Sequence, residues 1–185
     1  MVGMTQASTK RWTRAELDSL PEDGNRYEIV DGELFVSPAP RIRHQWTAMR
    51  LASLLLTACD ALPGRPLMTL MAPTDVALAD DTVIQPDIVV APRADYTERD
   101  LPVAPLLAVE ILSPSTRLLD LNVKKDRLQH AGTRHYWVVD PDEPSITTGT
   151  LTEGAYQPTG HATGHETLHI SEPVAIDLTP ADLIV

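Results

Sequence analysis

The sequence predicts an α/β or α+β fold in which helices flank a mixed β-sheet. The apolar run LLAVEIL at 106–112 is typical of a strand that is covered on both faces. A helical pattern follows at 116–132, and another short apolar strand, HYWVVDP, follows at 135–141. Strand, helix and strand in this order indicate a βαβ-like unit with two parallel strands, while the segments around it indicate hairpins.

Caps and turns predict the first elements of the chain. Thr13 and Glu16 have the spacing of a capping box, which indicates a short helix that ends before Pro21. Residues 26–38, RYEIVDGELFVSP, alternate apolar and polar side chains on both sides of Asp31–Gly32. An Asp-Gly pair between two such runs is a strong hairpin signal, so we expect two antiparallel strands here.

Periodicity predicts a long helix and two further strands. The helix covers about 42–59, and its apolar positions at helical spacing are Trp46, Met49, Leu51, Leu54, Leu55 and Ala58. Segments 74–80 and 82–92 have strand composition, and Gly132 stands where the second helix should end. The rest of the chain alternates turn residues with short strand-like pieces.

Length and composition predict one domain over residues 1–185. A chain with 43% hydrophobic residues can bury one substantial core. No apolar run approaches the roughly 18–20 residues of a membrane span, and MVGMTQASTKRW lacks the apolar core of a signal peptide. We therefore expect a cytoplasmic protein that does not enter a membrane. Cys59, in an apolar run, is expected to be a buried thiol.

The net charge of -11 argues against tight nonspecific binding to nucleic acid, because phosphate contacts require lysine and arginine. The distribution of the charge weakens this objection. All 15 basic residues lie between Lys10 and Arg134, whereas residues 135–185 carry eight acids and no base. Residues 1–134 carry 18 acids and 15 bases, a net charge of -3, so a local basic face is compatible with this part of the chain.

Two acids interrupt apolar strands, and such groups need a partner because an unpaired buried charge is costly. Asp87 precedes Ile88 in QPDIVV, and Glu110 lies in AVEIL. If the two strands pair, both carboxylates converge at one end of a sheet, where they can hold a hard divalent cation such as Mg²⁺. Salt bridges to arginine or caps on loop amides are the structural alternative. Lys124, on the following helix, can return to the same end and stabilise charge on a phosphate.

Four segments, in order, resemble the Uma-type restriction endonuclease family, a branch of the PD-(D/E)XK nuclease superfamily. They are RYEIVDGELFVSPAPRIRHQ, QPDIVV, AVEILSPST and DLNVKKDRLQHAGTRHYWVVDP, within about residues 12–142. The resemblance implies a restriction-endonuclease-like core, a divalent cation (Mg²⁺ or Mn²⁺) and hydrolysis of phosphodiester bonds. It implies that Asp87 and Glu110 are acidic metal ligands and that the main-chain carbonyl of Ile111 is a third ligand.

The chain departs from the superfamily pattern at Leu112, where the superfamily has its lysine. The resemblance implies that the lysine has moved to Lys124, eight residues before the glycine of AGTRHYW, and Asp120 is expected to pin it. It also places Glu28 at an early acidic position that would complete the metal site, with Glu33 as the competing choice. His44 matches a family position. A histidine there touches phosphate or orients a carboxylate, or it is an ordinary helix-end or interface residue.

Other metal-binding and base-stacking patterns are weaker. His161, His165 and His169 are spaced by four residues, but GHATGHETLHI is rich in Gly and Thr and reads as loop and strand, so we do not expect a zinc site. The three tryptophans are scattered along the chain and are expected in the core or in dimer contacts. They are Trp12, Trp46 and Trp137.

The sequence thus predicts a metal-dependent nuclease that acts on nucleic acid, DNA in the first place, with Asp87, Glu110, Lys124 and Glu28 at its site. A homodimer is expected, because two sites related by a twofold axis cut both strands of a duplex most simply. A dimeric interaction or regulatory module without useful cleavage is the alternative that the acidic charge favours. A hydrolase of nucleotides or small phosphate esters is a third hypothesis.

Overall fold

The computed structural model describes residues 10–114, 117 and 119–184. The helices of these residues are α1 (Arg14–Leu17), α2 (Ile42–Asp60) and α3 (Lys125–Ala131). The first six strands are β1 (Arg26–Val30), β2 (Glu33–Ser37), β3 (Leu67–Met71), β4 (Val76–Ala79), β5 (Thr82–Ile84) and β6 (Ile88–Pro92). The last six are β7 (Leu107–Ile111), β8 (His135–Asp140), β9 (Ser145–Thr152), β10 (Ala155–Thr163), β11 (Leu168–Ile170) and β12 (Ile176–Leu178).

The strands form a six-stranded mixed sheet, a four-stranded antiparallel sheet and a small β11–β12 pair. The order in the larger sheet is β10-β9-β8-β7-β6-β3, in which β7 and β8 are parallel and the other pairs are antiparallel. The order in the smaller sheet is β2-β1-β5-β4. The predicted α/β (α+β) class and the βαβ-like unit at β7–β8 are therefore confirmed.

The predicted hairpin is present as β1 and β2, which pair from Arg26↔Ser37 to Val30↔Glu33. Asp31 and Gly32 both have positive φ, 53° and 79°, as the two central residues of a type I′ turn require. The predicted capping box of Thr13 and Glu16 is also present, although α1 has only four residues.

Two predicted elements are each divided in the structure. Segment 82–92 is not one strand, because β5 belongs to the four-stranded sheet and β6 to the six-stranded sheet. Pro86, which has no N–H to donate, lies at the crossover between them. The predicted helix 116–132 consists, within its described part, of a π-helical segment, Leu119–Lys124, that leads into α3. Residues 116 and 118 lie outside the described residues.

Helix α2 is apolar on two opposite faces. Leu51, Leu55 and Cys59 are buried against the six-stranded sheet. Three side chains of the predicted apolar face are instead exposed, namely Trp46, Met49 and Leu54. The prediction failed here because apolar residues occur around much of the helix, so periodicity alone did not separate the buried face from the exposed one.

Two cores lie on opposite faces of the six-stranded sheet and fix where its polar residues point. Ile88 and Val109 face α2, whereas Val89 and Ala108 face α3 and the four-stranded sheet. Since side chains alternate along a strand, Glu110 shares the face of Ala108. It is therefore directed between the sheets. None of the described helices is long and apolar enough to cross a membrane.

Candidate active site

The backbone of β6 and β7 places Asp87 beside Glu110. Ile88 pairs with Val109 in an antiparallel register, so the next positions outward are Asp87 and Glu110. Both side chains are buried. The N–H of Ile111 donates to Asp87 Oδ2 at 2.8 Å, which ties the carboxylate to the neighbouring strand. The two acids from different sequence segments thus converge at one end of the sheet.

Lys124 is the cation that Glu110 meets. Its side chain is only 1% exposed, and its Nζ lies 2.8 Å from Glu110 Oε1 and 3.1 Å from Glu28 Oε1. It also donates to the main-chain oxygen of Gln85 at 3.2 Å. Asp120, one helical turn earlier, lies 3.6 Å away. The π-helical segment that ends at Lys124 therefore returns this lysine to the sheet end of Asp87 and Glu110.

The structure brings Glu28, and not Glu33, to this cluster. Glu28 is buried on β1, and its Oε1 accepts the N–H of Gln85 at 2.7 Å. Glu33 is exposed on β2. Because Gln85 directly precedes Pro86 and Asp87, the Glu28 hydrogen bond fixes the crossover that carries Asp87.

Asp87 is held from its other side by two cationic or ionisable groups. His44 Nε2 lies 3.0 Å from Asp87 Oδ2, and Arg26 donates to Asp87 Oδ1 at 3.0 Å. Burial alone would raise the pKa of Asp87, but the hydrogen bond and charge of His44, together with Arg26, lower it to about 2. Asp87 is therefore ionised at neutral pH, and His44 orients it from the start of α2.

Glu110 has the opposite electrostatic environment. Burial raises its pKa well above the ordinary value, although the charge of Lys124 acts in the other direction. Burial would lower the pKa of Lys124, but the carboxylates of Glu110, Glu28 and Asp120 raise it above the ordinary value. Lys124 consequently stays an ammonium, and burial makes Glu110 a member of the cluster whose ionisation is disfavoured.

The charges of the cluster favour a divalent cation. Four buried carboxyl groups, on Glu28, Asp87, Glu110 and Asp120, face two permanent cations, Arg26 and Lys124. When all four acids are ionised and His44 is neutral, two negative charges are left over, which is the charge that one divalent ion neutralises.

The donor atoms also fit a hard cation. Glu110 Oε2 is buried and has no hydrogen-bond partner among the described residues. The N–H of Ile111 points to Asp87, so its carbonyl is directed to the same side of the strand. No group of three or more acidic, His or Cys side chains in the described residues is arranged to hold a metal by itself. Mg²⁺ needs only one or two carboxylates because waters complete its shell, so these donors suffice.

A pocket of about 360 Å³ opens over Asp87. Arg26, Arg41, His44 and Ser113 are among the residues that line it. Arg26 and Gln85 were missed at the sequence level, because their contacts come from the packing of two sheets. A signal for Arg26 did exist, since it stands two residues before Glu28 and so shares its strand face.

The three histidines of the C-terminal part lie away from this cluster. His161 Nδ1 contacts Thr147, and His169 Nδ1 contacts Asp177 at 2.8 Å. Trp137 is buried in the core, whereas Trp46 is exposed and Trp12 carries Lys10 over its ring. Leu112 is buried.

Comparison with known proteins gives a family and a fold. Residues 14–183 match the model of the Uma2 family, described as "Putative restriction endonuclease". A crystal structure from Anabaena variabilis ATCC 29413, described as a "putative nuclease belonging to DUF820", matches with a TM-score of 0.72 at 20% identity. The match covers 93% of this chain and 97% of that one. No curated protein matches the chain. With the family model spanning nearly all of it, the chain belongs to the Uma2 restriction endonuclease family.

Proposed function

We propose that this protein is a metal-dependent nuclease that hydrolyses phosphodiester bonds of nucleic acid. DNA is the nucleic acid that we propose as its substrate. The observation that carries the proposal is the buried Lys124, which lies between Glu110 and Glu28 beside Asp87. The lysine and its two carboxylates are buried directly behind Asp87, which lines the open pocket. Such a combination of a lysine with carboxylates suits phosphoryl chemistry, and the family supports it. The proposal includes a single domain over residues 1–185, because both cores share one sheet. It also includes a cytoplasmic location.

In this proposal Asp87, Glu110 and the carbonyl of Ile111 would hold Mg²⁺ or Mn²⁺. The bound ion would supply a water of lowered pKa and positive charge at the scissile phosphate. Lys124 keeps its proton and holds two groups in place, namely the Glu110 carboxylate and a water bound at that carboxylate. His44 orients Asp87, while Glu28 fixes the Gln85 backbone.

Arg26 has a second role in the proposal. It donates to Asp87, and it also lines the open pocket. A guanidinium in this position can transfer a hydrogen bond from Asp87 to a non-bridging phosphate oxygen when a substrate enters. Arg26 therefore acts as the phosphate-binding group at the mouth of the site.

Cleavage of supercoiled plasmid, single-stranded DNA and RNA with Mg²⁺ or Mn²⁺ tests the proposal. We expect the natural protein to cut at least one of these and Asp87→Asn to be inactive, because the amide cannot replace the ionised carboxylate. Chelation of the metal should stop the reaction. Equal cleavage by both proteins would indicate a contaminating nuclease and contradict this site. Binding without cleavage would favour the interaction-module hypothesis, and hydrolysis of small phosphate esters alone would favour the third.

We also propose that the protein is a homodimer that pairs through the exposed side of α2. Ile42, Met49 and Leu56 lie on one exposed ridge, and Ile42 is 82% exposed. Ile42 and Leu56 stand seven residues before and after Met49, so a twofold axis at Met49 lets the ridge meet its own copy.

The homodimer is tested by measuring mass in solution by light scattering. Met49→Glu is expected to give a monomer, because the twofold axis would bring two like charges together. Val103→Glu, at an exposed apolar residue outside α2, is the matched control and should stay dimeric. A monomeric natural protein, or monomers with both variants, would contradict this surface.

A further inference from the structure

A second pocket, of about 280 Å³, lies beside the candidate active site. Leu112 and Leu121 line it, while their chain neighbours Ser113 and Asp120 line the pocket over Asp87. The described linings of the two pockets thus adjoin at the end of β7 and at the start of the π-helical segment.

Two fixed aromatic rings lie at the second pocket. Tyr136 and Tyr156 are stacked, with ring centroids 5.4 Å apart and an angle of 27° between their planes. The Tyr136 hydroxyl donates to the main-chain oxygen of Asp120 at 2.7 Å, and the Tyr156 hydroxyl donates to that of Thr133 at 2.9 Å. Tyr136 is buried in the core, whereas Tyr156 is half-buried. Since the Tyr156 hydroxyl is satisfied, the accessible part of its ring offers a ligand apolar surface, which suits the face of a base.

An unengaged cation also lines this pocket. Lys125 makes no ion pair with the described residues. Among the basic side chains, only Arg41 and Arg50 likewise lack an ion pair with the described residues. Arg117, at the same pocket, is already bound to Asp140 at 2.7 Å. Lys125 is therefore the lining residue whose charge is available for a phosphate.

Polar groups complete the lining. Thr147 pairs with Val138 across β8 and β9 and stands on the pocket side of the sheet, where its hydroxyl contacts His161 Nδ1 at 2.9 Å. A pocket near 300 Å³ with apolar walls and few polar groups is at the lower end of ordinary small-molecule sites. The lining of this pocket therefore matches the chemistry of one base and one phosphate.

We propose that this second pocket binds one nucleotide unit, with the base against the ring of Tyr156 and the phosphate bound to Lys125. Its place next to Asp87 makes it the subsite for the nucleotide that neighbours the scissile phosphate, and this placement rests on the proposed nuclease function. A free nucleoside monophosphate has the same chemistry, so the two sources of the nucleotide must be separated by experiment.

The binding test uses the full chain without divalent metal, so that no cleavage occurs. Deoxynucleoside monophosphates, the matching deoxynucleosides and inorganic phosphate are titrated and followed by NMR. The monophosphates are expected to bind more tightly than either part alone and to shift the signals of Tyr156. Lys125→Gln should weaken their binding about tenfold, the loss expected for one charge-assisted hydrogen bond. Arg50→Gln, which removes another unpaired cation on α2, is the matched control and should change nothing.

A second variant blocks the pocket itself. Thr147→Trp places a large ring at an exposed position of the wall and should abolish monophosphate binding without affecting folding. Absence of monophosphate binding to the natural protein, or an equal loss with Arg50→Gln, would overturn the inference.

Competition separates the two sources of the nucleotide. A short oligonucleotide is expected to displace the monophosphate, and Lys125→Gln should raise KM for cleavage while kcat stays unchanged. Simultaneous binding of both ligands would overturn the placement in the substrate strand. A protein that binds monophosphates but cleaves nothing contradicts the proposed nuclease and leaves the pocket assignment intact. Normal cleavage by Lys125→Gln, together with the expected loss of monophosphate binding, contradicts only the placement of this pocket in the substrate strand.

Discussion

Lys124→Met is expected to lower the free energy of unfolding by about 3–5 kcal/mol, the cost of removing one partner from a buried ion pair. Lys124 is almost fully buried and contacts Glu110 and Glu28, so its loss leaves these carboxylates without their cation. Methionine has a similar length, which limits the contribution of a cavity. Cleavage should fall roughly 10²–10³-fold, as when one preorganised charge donor is removed from an active site.

Urea unfolding and cleavage assays measure the two effects. Lys125→Met is the matched control for the stability measurement, because the neighbouring lysine is half-buried and makes no ion pair with the described residues. Its unfolding free energy should change by less than about 0.5 kcal/mol. Adding Glu110→Gln to Lys124→Met should restore part of the stability but no cleavage, since the uncompensated charge disappears while the site stays incomplete. Similar destabilisation by Lys124→Met and Lys125→Met would contradict the buried-cluster interpretation.

Local signals predicted much of the fold. The Asp31–Gly32 turn and the apolar run of β7 depend on neighbouring residues, so sequence reasoning identified them. The split of 82–92 between two sheets was not predictable in this way, because strand composition does not report which sheet a strand joins. Pro86 marked the division, but its meaning became clear only from the packing of β5 and β6.

The candidate site was predictable where polar residues interrupt apolar strands. Asp87 and Glu110 stand out for this reason, and the family resemblance pointed to Lys124. The ion pair between Arg26 and Asp87 was not predicted, because the residues are 61 positions apart and meet through the contact of two sheets. The salt-bridge alternative for the two acids therefore holds in part, because each carboxylate has a basic partner. It does not account for Glu110 Oε2, which has no hydrogen-bond partner among the described residues.

The proposed metal site has a consequence for stability that does not depend on cleavage. Burial raises the pKa of Glu110 above its ordinary value of 4.5, so the folded protein holds this proton to a higher pH than the unfolded chain does. Its contribution to stability is fully present below pH 4.5 and is lost as the pH rises through the raised pKa. Asp87, with a pKa lowered to about 2, loses its contribution only as the pH falls below about 4. A decline above pH 4.5 therefore reports Glu110.

Mg²⁺ or Mn²⁺ is expected to reverse this decline, because a cation that binds only the folded protein stabilises it by about 2.7 kcal/mol at a hundredfold excess over Kd. Glu110→Gln should flatten the decline and weaken Mn²⁺ binding by more than the roughly 10–100-fold cost of losing an outer-shell partner. Thermal unfolding between pH 5 and 9 and Mn²⁺ titration by calorimetry measure both effects. Glu33→Gln, at an exposed acid of the β1–β2 hairpin, should behave as the natural protein. Unchanged Mn²⁺ affinity in Glu110→Gln would remove Glu110 from the metal site, whereas equal losses in both variants would show that the effect comes from overall charge.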